Sequence, residues 1–259
     1  IKSNQIENLY IPYYICPEIV NKLKKLNVKI NFYHINEKLE IKNLEKILKR
    51  NIPVLYVNYF GIKNNYISYI NSLYDKLIID NAQSFFSKYL GNLATFYSPR
   101  KFFGVPDGGY LYLKNSDIIA YPKDFSKNRF KHLVTNIEDG PEAGYKYFEQ
   151  NESEIDKSNI TRMSKITTKL LAGINYSSVI KIRKKNYLFA HERLKGINKL
   201  DLNINKLDVP NFYPLMIEQK GIRKLLIKRK IFIPTFWKGL DNFTKSGLIE
   251  EKLVNDILP

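Results

Sequence analysis

Strand-like and helix-like segments alternate over residues 6–113 at intervals of about 25 residues, and this rhythm narrows the fold more than any other feature. Leu9-Tyr10-Ile11-Pro12-Tyr13-Tyr14 reads as a strand, 17–26 as a helix with Pro17 in its first turn, and 28–35 as a strand. A helix over 44–49, a strand over 53–59, a helix around 66–73 and a strand over 76–80 continue the series. Helices between successive strands imply parallel strands joined by right-handed crossovers, and in such sheets ligands collect beyond the carboxyl ends of the strands. Asp80 closes one of those strands.

After Gln83 the rhythm breaks. Strands at 93–97 and 109–113 follow each other with no room for a helix, so this side of the sheet is expected to pair differently. Residues 115–160 read as irregular, with Pro122, Gly140, Pro141 and Gly144 as breakers and an acidic tract from Glu138 to Asp156. Asp139 and Glu142 within it read as solvated. Helical periodicity over 162–194 is broken near Gly173 and Asn175. A strand over 212–217, a helix over 221–228, a strand over 231–236 and a helix over 248–254 make a second, smaller α/β unit. The expected division is a large domain over 1–160, then a linker helix and small C-terminal domain over 161–259. Both ends read as incomplete: the chain opens at Ile1-Lys2-Ser3 without an initiator methionine or signal-peptide pattern, and stops at Ile257-Leu258-Pro259, an apolar step that leads into another element.

The net charge of +17 raises the question of nucleic acid. The distribution argues against it, because lysines occur in almost every segment and the densest clusters, 181–185 and 223–230, sit inside helical patterns. The expectation is a solvated basic surface that attracts anionic substrates. No apolar run reaches the roughly 18 residues needed to span a bilayer, so no membrane insertion is expected. A single cysteine, Cys16, excludes an intramolecular disulfide and suits a reducing, cytoplasmic setting. His34, His132 and His191 are scattered without metal-ligand spacing, and Trp237 reads as core or interface packing.

A carboxylate ending a buried strand is costly unless a cation or donor meets it, so Asp80 either caps a turn or faces a ligand. Gln83 follows three residues on. Twenty-one residues after Asp80 comes Ser98-Pro99-Arg100-Lys101, and then Asp107-Gly108-Gly109. A lysine amine becomes a nucleophile when desolvation or neighbouring positive charge favours its neutral form. Pro99 stiffens the approach to Lys101, Arg100 adds charge that an anion could meet, Ser98 offers a hydroxyl, and the glycine pair permits close backbone approach.

Together these residues resemble the DegT/DnrJ/EryC1/StrS group of pyridoxal-phosphate-dependent sugar aminotransferases, of the aspartate-aminotransferase fold type. The group's Asp-x-Ala-His/Gln is matched by Asp80-Asn81-Ala82-Gln83, its Pro-x-Lys by Pro99-Arg100-Lys101, and its Glu/Asp-Gly-Gly by Asp107-Gly108-Gly109. Arg162-Met163-Ser164 is similar to its Asn-aromatic-Arg-Met-Ser/Thr segment, and Tyr59-Phe60-Gly61 to its aromatic-Gly turn. The resemblance implies an α/β, three-layer PLP-transferase fold with a mostly parallel central sheet and a smaller C-terminal α/β domain.

It further implies pyridoxal 5'-phosphate as cofactor, with Lys101 as Schiff-base lysine, Asp80 on the pyridine nitrogen and Gln83 on the ring hydroxyl. An aromatic side chain after the first strand stacks on the ring in the group; Tyr13 or Tyr14 is the candidate here, although strict alignment sets Cys16 nearest. The group's phosphate serine lies five residues before the lysine, where this chain has Phe96, so Ser98 would substitute from another position. Asn159, one residue further from Arg162 than usual, would reach the cofactor phosphate of a neighbouring subunit. The group's Gly-Thr/Ser phosphate segment would precede Ile1. The implied partners are an amino donor such as glutamate, a nucleotide-linked keto sugar of a surface polysaccharide or related glycan pathway, and a second copy forming a homodimer with shared sites. Lysine rather than histidine at 101 favours transamination over the group's dehydratase branch. The alternative is a binding or regulatory protein that keeps the fold without turnover.

Overall fold

The structure is a computed structural model and describes residues 1, 4–115, 120–219, 221–237 and 248–259. Its centre is a six-stranded sheet formed by β1 (Asn8–Pro12), β2 (Lys29–Tyr33), β3 (Val54–Val57), β4 (Leu77–Asn81), β5 (Ala94–Tyr97) and β6 (Tyr110–Leu113), in the order β2-β1-β3-β4-β5-β6. The first five strands run parallel and β6 is antiparallel to β5, with Tyr97 opposite Tyr110. This is the mostly parallel α/β sheet with one differently paired strand that the sequence rhythm implies.

Crossover helices α1 (Pro17–Lys25), α2 (Leu44–Leu48) and α3 (Asn64–Leu73) connect the parallel strands. In α1, Pro17 stands in the first turn, Glu18 sits near the positive end of the helix dipole, and Lys22, Lys24 and Lys25 sit near the negative end. Its inner face buries Val20 and Leu23. Every residue of β3 and β4 is buried, as expected of strands covered on both faces. That covering forces Asp80, in β4, to be buried as well.

The stretch 115–160 corrects the sequence reading. Residues 116–119 lie outside the described residues, but 131–157 is helical: α4 (Lys131–Glu138) packs on α5 (Pro141–Lys157). Gly140, at φ 89°, precedes α5 and Pro141 occupies its first turn, so the two breakers separate helices instead of preventing them. Asp139 and Glu142 are exposed, as expected.

The following break at Gly173 holds. It separates α6 (Lys165–Ala172) from α7 (Tyr176–Leu194), and each helix has a side-chain cap: Ser164 Oγ accepts from the Thr167 N–H at 3.2 Å, and Asn175 Oδ1 from the Ser178 N–H at 3.0 Å.

The C-terminal strands differ more. The strand expected over 212–217 shrinks to β7 (Leu215–Met216), which pairs antiparallel with the terminal β8 (Ile257–Leu258). Residues 231–236 form no strand, although helices α8 (Ile222–Lys228) and α9 (Ile249–Asp256) flank them in sequence. Arg223 Nη1 donates to the carbonyls of Pro234 at 2.8 Å and Ile233 at 3.4 Å, so a side chain takes two of the acceptors that a ladder would use. Trp237 packs edge-on against Tyr14 in the core, with ring centroids 4.4 Å apart. No helix among the described residues is long and apolar enough to cross a membrane.

A tight turn, Tyr59–Gly61, follows β3. Gly61 has φ 76°, and a Cβ there would lie 2.7 Å from the Gln83 carbonyl oxygen and 2.9 Å from that of Val209. Both atoms are backbone and have little freedom to retreat. Gly61→Ala is expected to lower stability by about 3 kcal/mol, combining left-handed strain with the clash; urea unfolding of the two proteins measures it.

Candidate active site

The carboxyl ends of the parallel strands converge on one edge of the sheet. Asp80 is the fourth residue of β4 and stands opposite Phe96 of β5. Beyond β5, a single 3-10 turn, Pro99–Lys101, carries Lys101 back over that edge. Cys16 follows β1 at the start of α1, and the Tyr59–Gly61 turn follows β3. Neighbouring strands lie about 4.8 Å apart, which brings residues distant in sequence into one site.

Asp80 is 5% exposed, and its Oδ1 accepts the Ala82 N–H at 2.8 Å. Burial pushes its carboxyl above the ordinary range, opposed by the Lys101 ammonium and the Ala82 N–H. Lys101 is itself exposed, and among the described residues it has no carboxylate within salt-bridge distance. Cys16 belongs to the same electrostatic group. Burial raises its thiol, with the Glu18 N–H and Lys101 pulling down and Asp80 and the Glu18 carboxylate pushing up.

Gln83 is 1% exposed. Its Oε1 accepts the Phe60 N–H at 2.8 Å, which fixes the direction of the carboxamide. Its Nε2 is buried and has no partner. The side chain is thus held as a free N–H donor, suited to an acceptor oxygen on a ligand.

The other expected site residues are placed differently. The Tyr14 ring is fully buried, stacked 5.6 Å from Tyr59 and edge-on to Trp237, and its hydroxyl has no partner. The side chain after β1 that reaches the Asp80–Lys101 pair is Cys16, the position set nearest by strict alignment. Tyr13 stacks on Phe32 at 4.7 Å and His34 at 4.6 Å. Ser98 is half-buried ahead of the Pro99 turn and makes no side-chain cap to it. Arg100 forms an ion pair with Glu152 of α5, which occupies the charge that an anion would otherwise meet. Asn159 lies exposed between α5 and α6 and makes no hydrogen bond to the other candidates.

The remaining motifs act on one another. Gly108 has φ 105°, and a Cβ there would lie 3.0 Å from Met163 Cε and 3.3 Å from Thr167 Cγ2. The close approach made possible by this glycine is therefore to the Arg162-Met163-Ser164 segment. Asp107, 4% exposed, pairs with Arg129 at 3.4 Å, and Arg129 also binds Asp124 at 2.5 Å. Arg129 is carried in the turn ahead of α4, inside the stretch that reads as irregular.

Beneath the site is a polar network that sequence reasoning missed. Asn58 Nδ2 donates to Asn64 Oδ1 and Asn81 Oδ1, each at 3.0 Å, and Ser87 Oγ donates to Asn64 Oδ1 at 2.6 Å. Asn64 Nδ2 reaches Asp208 Oδ1 at 2.8 Å. The available signal was Asn58, which follows β3 much as Asn81 ends β4: two polar residues closing adjacent buried strands.

No family model and no curated protein matches the sequence. Solved structures do match the fold. Helicobacter pylori PseC, an aminotransferase involved in the biosynthesis of pseudoaminic acid, is 14% identical, with a TM-score of 0.56 over 97% of this chain and 73% of its own. The E. coli GDP-4-keto-6-deoxy-D-mannose-3-dehydratase, solved with bound hydrated PLP, is 13% identical, with a TM-score of 0.55 over 98% of this chain and 75% of its own.

The chain has the PLP-transferase fold.

A histidinol-phosphate aminotransferase from Clostridium acetobutylicum shares it as well, 18% identical with a TM-score of 0.53 over 90% of this chain and 70% of its own. The fold thus accommodates a dehydratase and aminotransferases alike, and the choice between reactions falls to the site.

The Asp80 geometry carries a consequence for stability. With a raised folded-state pKa, the folded chain keeps the Asp80 proton to higher pH than the unfolded chain does. This group therefore lowers stability as pH rises from about 4 through its folded pKa. Asp80→Asn, which retains an oxygen for the Ala82 N–H, is expected to be more stable than the parent at neutral pH and equal to it in acid. Urea midpoints of cofactor-free protein across that range test the difference.

Proposed function

We propose that this chain is a pyridoxal-phosphate-dependent aminotransferase that moves an amino group from an amino acid such as glutamate to a keto sugar, nucleotide-linked, in a cytoplasmic glycan-building pathway. The observation that carries the reading is the buried Asp80 carboxylate under the influence of Lys101, beside the unpartnered Gln83 Nε2. A protonated pyridine nitrogen would answer Asp80, and a phenolic oxygen would answer Gln83. The donor set therefore fits the cofactor on two independent atoms.

In this reading Lys101 carries the cofactor through its amine, Asp80 holds the ring nitrogen and Gln83 donates to the ring oxygen. Bound there, the cofactor supplies an electron sink for the pair left when a proton leaves the donor's α-carbon. Once the donor's amine has displaced it from the cofactor, Lys101 Nζ takes that proton and later returns one, held within reach by a short, proline-stiffened turn. Asp80 stays ionised against the ring nitrogen, compensated by a charge that burial alone withholds. Cys16 flanks this pair from the start of α1.

The sugar acceptor is supported by PseC and the E. coli dehydratase as fold neighbours. A homodimer with shared sites remains part of the proposal, with Asn159 and Ser98 as the residues expected to meet the cofactor phosphate. So does the division into a large domain over 1–160 and a smaller one over 161–259. A second reading, a binding or regulatory protein that retains the cofactor cleft without turnover, draws on the Arg100–Glu152 pair and the exposure of Asn159, which leave phosphate with fewer ready partners.

Borohydride reduction of the pyridoxal-phosphate-loaded chain, followed by peptide mass spectrometry, is expected to label Lys101, and Lys101→Ala to lose both the label and the visible absorbance band. Asp80→Asn is expected to retain the label and lower amine transfer by about 100-fold. Absence of label and band in the parent protein would remove the proposal. Labelling without amine transfer across a panel of keto sugars would favour the second reading.

A further inference from the structure

Lys101 has no carboxylate within salt-bridge distance among the described residues, so the backbone of its turn decides where its amine reaches. On one side the turn is held by the N–H groups of Phe102 and Phe103, which both donate to the Pro99 carbonyl at 2.9 Å. Ser98 adds no side-chain cap. The other hold comes from 81 residues further along the chain.

Arg183, half-buried in α7, donates from Nη2 to the Phe102 carbonyl at 3.4 Å, and its guanidinium lies 4.5 Å from the centre of the Phe102 ring. Phe102 is 8% exposed, so packing fixes the ring that the cation lies against. Nη1 of the same guanidinium donates to the Asn211 carbonyl at 3.1 Å. The Asn211 N–H in turn donates to the Phe60 carbonyl, and the Phe60 N–H to Gln83 Oε1, each at 2.8 Å.

One planar group thus closes a circuit from the residue after Lys101, through Asn211 and Phe60, to Gln83. Docking α7 on the sheet needs no particular carbonyl, yet Arg183 takes one that adjoins Lys101 and one whose peptide is bonded to the turn that orients Gln83. The circuit also breaks unevenly. Without Arg183, Gln83 keeps its bond to Phe60 and Phe60 keeps its bond to Asn211, whereas the Phe102 carbonyl loses the guanidinium. The displacement therefore falls on the turn that carries Lys101.

We propose that Arg183 is a positioning residue for Lys101: it holds the lysine turn in a fixed place relative to Gln83, so that the amine meets the aldehyde carbon of a ring seated on Asp80 and Gln83. The inference rests on the pyridoxal-phosphate reading of the site. Condensation joins Lys101 Nζ to that carbon and releases the aldehyde oxygen as water. An amine held out of place weakens this attachment without touching the groups that seat the ring.

Two ligands separate positioning from general damage. Pyridoxal phosphate attaches to Lys101; pyridoxamine phosphate, with an amine in place of the aldehyde, does not, yet it presents the same ring nitrogen, ring oxygen and phosphate. Arg183→Leu is expected to weaken pyridoxal phosphate by about tenfold or more, read from the visible band and the borohydride label on Lys101, and to leave calorimetric pyridoxamine phosphate affinity within about twofold. Arg183→Lys keeps a cation against the Phe102 ring but replaces a planar fork spanning two carbonyls with a point charge. It is expected to show the same selective loss with a melting temperature nearer that of the parent, which keeps the test decisive if the leucine variant folds poorly. Equal weakening of both ligands would make Arg183 a structural staple and overturn the proposal, as would unchanged pyridoxal phosphate affinity in both variants. In either case a labelled parent leaves the cofactor reading standing. A parent that takes no label removes that reading and this inference with it.

Discussion

Three segments far apart in the chain meet at the backbone of Phe60. Its N–H donates to Gln83 Oε1 and its carbonyl accepts the Asn211 N–H, each at 2.8 Å. The first bond sets which end of the Gln83 amide is free. The second ties the segment containing Asn211, and through Arg183 the helix α7, to the carboxyl edge of the sheet. The peptide can make both bonds because the turn passes through left-handed backbone at Phe60, φ 57°, and Gly61, φ 76°. Gly61 has no Cβ to collide with the carbonyls of Gln83 and Val209.

Burial then turns this scaffold into chemistry. β3 and β4 are covered on both faces, so the polar residues at their ends have no water to rely on and must find partners or remain charged at a cost. Asn58, Asn64, Asn81 and Asp208 solve the problem among themselves. Asp80 and Gln83 do so only in part: burial still holds the Asp80 carboxyl above its ordinary range, and Gln83 Nε2 has no partner.

Much of the sheet was legible because a fully buried parallel strand is an apolar run and its crossover helix has a different period. β1 to β6 lie where those runs occur, and the missing helix before β6 signals the antiparallel edge. α4 and α5 were hidden because Gly140 and Pro141 look the same in sequence whether they interrupt a loop or punctuate two helices. Residues 231–236 misled for another reason: two of their carbonyls, those of Ile233 and Pro234, accept from Arg223, a residue that counted in sequence only as part of a basic cluster. Arg183 was obscured in the same way inside a run of lysines.

Sequence by itself determined the alternation that makes a parallel sheet, the strand-ending Asp80 and the turn bearing Lys101, because each depends on local spacing. Tertiary structure decided which neighbours those residues have. It turned Tyr14 inward, brought Cys16 to the Asp80–Lys101 pair, committed Arg100 to Glu152 and left Gln83 Nε2 without a partner. The physical reason is that a charge or hydrogen bond acts over a few ångströms, whereas these partners are separated by tens of residues along the chain and meet only when the sheet places its strand ends side by side.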